Sequence, residues 1–241
     1  MFYFLLAPTL IWHGLLIVAA VLPAVILMIR LYRSDRLEKE SPAILKRCVW
    51  KGICATILAM AAEGIGQVLL GAFFDEGSLL YSVLLYFGLV AFAEEGAKLF
   101  MLRRATWNDP EFNCTYDGVI YSAFVAAGFA LWENISYVLH YGLGTAFIRA
   151  VTAVPGHISF GVFMGLFYSR ARLADRCGCS EKARRMERLA LVIPALLHGL
   201  YDYVASTETA AADVFFLVFV AVLFLFTVSV ARNAAEKDTY L

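Results

Sequence analysis

Apolar residues run along this chain in long blocks broken by short polar stretches. Seven blocks approach the roughly 20 residues that cross a bilayer's hydrocarbon: Tyr3 to Ile29, Gly52 to Ala72, Leu79 to Leu102, Asp117 to Leu139, Phe147 to Tyr168, Leu189 to Ala205 and Val214 to Ala231. The first block lacks a basic start, is too long for a signal-peptide core and runs straight into a basic loop, so it reads as a retained helix. The expectation is an all-α, polytopic bundle of about seven transmembrane helices. Residues 1–241 read as one integral membrane domain, since no repeat, linker or low-complexity tract divides them.

Lys and Arg assign the sides. Seven lie between Arg30 and Lys51, two at Arg103 and Arg104, seven between Arg170 and Arg188, and two at Arg232 and Lys237, so 18 of 20 occupy alternate loops. The positive-inside rule then places the N-terminus outside and the C-terminus in the cytoplasm. These basic loops read as topology signals and solvated surface, with lipid-headgroup binding as the sharper alternative. The overall balance is neutral, with 61% hydrophobic and 17% charged residues over 241 positions. That composition excludes a soluble, disordered or nucleic-acid-binding protein and makes the lipid bilayer the chain's surroundings. Five cysteines without paired spacing, Cys177 and Cys179 among them, read as reduced thiols.

Ionisable groups inside the blocks carry the chemistry, because a charge at bilayer depth needs a partner, a cavity or a job. The third block holds Glu94, Glu95 and Lys98, the fourth Glu133 and Asn134, the fifth His157, and the sixth His198 and Asp202. Counting 1.5 Å per residue from the basic end puts Glu95, His157 and His198 at about 12, 16 and 14 Å depth, with Glu133 and Asp202 deeper at about 24 and 20 Å. Glu94 precedes Lys98 by four residues, a favourable ion-pair spacing, and His198 precedes Asp202 by four, so Asp202 can hold the imidazole. Glu63 and Arg149 have no partner at such a spacing and read as packing or snorkelling residues, and Asp117 as a helix N-terminal partner. Gly161 and Gly165 read as a close helix contact.

The ordered set EEGAK, FALWEN, PGHISFG and HGLYD, on consecutive helices from Ala93 to Asp202, resembles the PrsW family of intramembrane proteases, distant relatives of the CAAX-prenyl endopeptidase and bacteriocin-immunity superfamily. The resemblance implies that Glu94 and Glu95 match the family's paired glutamates, His157 and His198 its two histidines, and Glu133 with Asn134 its fourth-helix motif. It places the catalytic core within 79–205, in a multi-pass protein of the bacterial cytoplasmic membrane. It further implies site-1 cleavage of an anti-sigma factor at the start of a stress response.

Taken with the resemblance, these residues imply a peptidase in which a glutamate activates water while His157 and His198 position it; spacing alone favours neither an enzyme nor a transporter. Glu95 is the preferred base by depth, because Glu94 has Lys98 one turn away. Two versions stay open: direct hydrogen bonding, or a Zn²⁺ ion held by His157, His198 and Glu95. Lys98, Glu133, Asn134 and Asp202 support the site in both. Two other classes share the same polar cluster: a proton- or cation-coupled transporter, which the absence of inverted repeats argues against, and a noncatalytic scaffold.

Overall fold

The computed structural model describes residues 2–241, with side chains from Ile11 onward. Its elements are α1 (Phe2–Ser34), α2 (Pro42–Phe73), α3 (Leu79–Val83), a π-helical segment (Leu84–Val90), α4 (Ala91–Thr106), α5 (Asp117–Tyr141), α6 (Leu143–Val151), α7 (Ala153–Arg176), α8 (Ser180–Ala205) and α9 (Ala210–Glu236). The α3–π–α4 and α6–α7 pairs each act as one rod, giving the seven expected. Six rods are long and apolar enough to cross a membrane. The seventh, α8, falls short because its first half carries Glu181, Lys182, Arg184, Arg185, Glu187 and Arg188, leaving Leu189–Ala205 as its apolar part.

Every observed helix that starts or ends at the basic loops runs past its apolar block there except α5, which starts at Asp117 as its block does. A helix continues wherever its backbone bonds can form, whereas hydropathy marks only the part in hydrocarbon. The fifth block, expected as one helix, breaks at Thr152 (φ −119°, ψ −73°). Pro155 explains the restart, since a proline without an N–H fits the first turn of α7 but not the middle of a continuous helix.

Helices α5 and α7 form the centre. Within the candidate spans 78% of α5 and of the α6–α7 rod is buried inside the protein, against 17–22% for the other four. Small residues allow this, because close backbone approach is what drives helix association in lipid. At Gly165 an added Cβ would lie 2.5 Å from the Gly118 carbonyl oxygen, so the expected glycine contact is observed between α5 and α7.

The basic ends are tied together by polar contacts. Arg47 pairs with Asp109 and Arg103 with Glu187. The C-terminal tail pairs with the loop before α5 through Thr115 N to Thr239 O (2.9 Å) and Leu241 N to Asn113 O (2.7 Å). Asp117, the acidic first residue of α5, accepts from the backbone N–H of Asn113 (2.9 Å) and Cys114 (2.6 Å) and so pins the preceding loop to the helix start. Beside it Glu40 is buried and bonded to the Tyr121 hydroxyl.

Burial, reinforced by the Asp117 carboxylate, pushes the Glu40 carboxyl up to about 9 from its ordinary 4.5. A group whose folded pKa is raised favours the folded state fully below the unfolded value, and that contribution fades as pH rises through the folded one. Thermal stability should therefore fall between about pH 5 and 9, and Glu40→Gln should flatten that slope in a melting series. An unchanged slope would remove Glu40 as its cause.

Candidate active site

Four rods deliver the site. The π-helical segment runs directly into α4, where the Ala91 N–H bonds to the Tyr86 carbonyl five residues back. Such bulges re-aim the following turn and recur at functional sites. Here the following turn carries Glu94, Glu95 and Lys98. Helix α8 reaches this segment through Gly199, where a Cβ would lie 3.0 Å from Phe87 Cα, and that approach brings His198 alongside.

The structure brings together all eight residues singled out in the sequence. Ligand atoms from Glu94, Glu95, His157 and His198 lie within 4.8 Å of one another, and all four residues are buried. Lys98 Nζ sits among them, 3.2 Å from Glu94 Oε2, 2.7 Å from Glu95 Oε1 and 3.1 Å from His157 Nδ1, and over the Phe129 ring at 3.9 Å. His198 Nδ1 is 2.9 Å from Glu95 Oε1, while its Nε2 is 3.4 Å from Asp202 Oδ2 and 3.8 Å from Glu94 Oε2. The two imidazoles stand edge to face with centroids 5.3 Å apart.

Hydrogen-bond chemistry fixes the His157 tautomer. An ammonium has only donors, so Nδ1 accepts from Lys98 and the proton is assigned to Nε2, which donates to Glu133 Oε2 at 2.7 Å. Glu133 is in turn held by Arg149 Nη2 at 2.9 Å. Asn134 completes the chain by accepting from Arg149 Nε at 3.0 Å and donating to the Ala20 carbonyl of α1 at 2.7 Å. The adjacent Glu133 and Asn134 thus divide the work: one faces the histidine, the other locks the arginine.

Three expectations change. Glu95 was to lack an internal cation, yet Lys98 contacts both glutamates and lies nearer Glu95, because positions i and i+3 share a helix face as well as i and i+4. Glu133 and Asp202 were placed deeper than the histidines, yet both touch them. Depth was counted from Tyr168, whereas α7 runs on to Arg176, so the common zero did not hold. Arg149 and Glu63, read as packing residues, both line the site cavity.

That cavity has a volume of about 530 Å³. Glu63, Glu94, Glu133, His157, His198 and Asp202 line it, and it extends to Gln67, Ser136 and Ser206 near the bundle end away from the basic loops. Glu94 faces this space, while Glu95 and Lys98 lie behind it at 0% and 1% exposure. Phe160 stacks on His198 with centroids 4.9 Å apart and walls one side. Its position three residues after His157 was the available signal for it. No periodic signal pointed to Arg149, because the break at Thr152 separates it from His157.

A family model described as PrsW family intramembrane metalloprotease matches residues 40–229. The chain belongs to the PrsW family. Among its relatives, Protease PrsW of Bacillus subtilis (strain 168) is 32% identical over 224 residues, covering 92% of this chain and 97% of that protein. Protease PrsW of Clostridioides difficile (strain 630) is 30% identical over 212 residues, 86% of each chain. Protease PrsW of Geobacillus kaustophilus (strain HTA426) is 33% identical over 194 residues, 78% of each. No solved structure matches the chain.

PrsW membership makes the protein a hydrolase, a membrane-embedded protease acting on protein substrates, in a multi-pass arrangement in the cell membrane. The transporter reading finds no support. As a PrsW-family metalloprotease it should offer a metal site, and the donor set fits one. Imidazole and carboxylate ligands suit a divalent cation. Glu95 Oε2 is buried without any hydrogen-bond partner, an oxygen available to such an ion. The carboxylates Glu94, Glu95, Glu133 and Asp202, with Glu63 on the same cavity wall, outnumber the cations Lys98 and Arg149, an excess of acid that favours a bound cation.

Proposed function

We propose that this chain cuts a single-pass anti-sigma factor on the extracytoplasmic side of the membrane, with its catalytic core within 79–205 of one integral domain and with Glu94 as the general base. The observation that carries this reading is the cavity: it holds Glu94, His157 and His198 at its floor and leads away from the basic loops, which topology rules place in the cytoplasm. A bound Zn²⁺, held by His157, His198 and Glu95, would supply Lewis acidity toward the attacking water and the scissile carbonyl.

The remaining work falls to the chain itself. Glu94, facing the cavity, takes a proton from water and returns it to the leaving amine. Glu133 holds the Nε2 side of His157 and leaves Nδ1 turned to the cluster, the carboxylate–histidine arrangement that orients a ligand. Asp202 does the same for His198 from its Nε2 side, leaving Nδ1 turned to Glu95 and the cluster. Lys98 pairs directly with Glu95, Phe129 lies under its ammonium and Phe160 covers His198.

The test uses a substrate tagged at both ends and co-expressed with the chain. Its cut should fall on the side from which an impermeant maleimide reaches cysteines placed at Ser78 and Thr207. An intact substrate, or a cut on the side that exposes Glu181→Cys, would overturn the reading.

A further inference from the structure

Helices α1 and α9 barely touch, and the gap between them is floored by α7. Two cavities of about 300 and 570 Å³ occupy this gap and share Leu27 and Phe224, so they form one continuous trough. Its lining changes along its length. One end carries Arg30, Arg36 and Arg232, while the stretch beyond is built from side chains such as Leu22, Ile26, Val151, Leu217 and Phe224.

The charge at the mouth is unbalanced. Arg36 and Arg232 share Glu236, at 3.5 and 3.1 Å from its Oε1, and Arg30 makes no ion pair among the described residues. Three guanidinium groups thus face one carboxylate, beside the Ser34 hydroxyl. Guanidinium forks suit phosphate oxygens bidentately.

Length identifies the class of occupant. From Arg30 to Leu22 along α1 is about 12 Å, and from Arg232 to Leu217 along α9 about 22 Å. A spanning helix needs the full hydrocarbon thickness of about 30 Å, whereas one leaflet with its headgroups is about 20 Å deep. We propose that the trough is a binding site for an anionic phospholipid of the leaflet facing the basic loops, its phosphate on Arg30, Arg36 and Arg232 and its acyl chains along α7. The floor residues Ile158 and Val162 follow His157 on the same helix, so the occupant backs the helix that carries the site.

The full chain, purified in detergent and incubated with mixed phosphatidylcholine and phosphatidylglycerol, is read by native mass spectrometry. Phosphatidylglycerol should be retained in preference to phosphatidylcholine. Arg30→Gln with Arg232→Gln should lower its retention at least tenfold, Arg30→Lys with Arg232→Lys should keep most of it, and Ala221→Trp, which fills the trough, should abolish it. Arg184→Gln with Arg185→Gln removes the same charge elsewhere and should change nothing. Equal loss in both glutamine pairs, or no loss in the first, would overturn the proposal. Unchanged lipid retention with a raised KM for substrate in Ala221→Trp would assign the trough to a substrate helix instead.

Discussion

Glu94→Gln is expected to lower kcat by about 10³-fold or more while leaving the protein folded, inserted and able to hold its metal. The substitution keeps shape but removes the basic oxygen, and loss of a general base raises the barrier by about 4 kcal/mol. The fold survives because Lys98 retains Glu95 at 2.7 Å as its counter-ion. Glu95→Gln should behave differently. It removes the nearer partner of a buried Lys98 and the contact to His198 Nδ1, so it should lose thermal stability and bound metal together with activity. Side-by-side turnover, melting and metal content of the two variants separate the roles. Near-normal turnover in Glu94→Gln, or identical losses in both variants, would refute the division.

Much of this was legible in the sequence. Charge inside lipid is costly, so the few acids and histidines within apolar blocks had to converge. The rise per residue grouped Glu95, His157 and His198, which do lie together, but it set apart Glu133 and Asp202, which touch the same histidines. What it could not give was side-chain direction, hence the choice between two adjacent glutamates: whether Glu94 or Glu95 faces the cavity depends on how the π-helical segment sets the turn after it. Arg149 stayed hidden for a related reason. Its partners Glu133 and Asn134 lie on another helix, across the turn at Gly142 between α5 and α6, and no spacing rule connects residues across such a turn. The outer helices were readable as spans because lipid imposes a simple length, but α8 shows its limit, a rod half charged and half apolar.

The largest effect on the metal should come from the histidines. His157→Ala leaves Glu133, Arg149 and Lys98 in place but removes the imidazole between them, and His198→Ala removes the ring between Glu95 and Asp202. Either change deletes one of two imidazole ligands and leaves a single histidine among carboxylates, a donor set that binds zinc more weakly. The measurement that tests the central claim most directly is metal content of the purified protein, by elemental analysis, for the native chain and both variants. The expected result is close to one zinc per native chain, falling to background in His157→Ala and His198→Ala, with native activity lost to a chelator and restored by zinc. Background metal in an active native preparation, with cleavage surviving the chelator, would contradict the account.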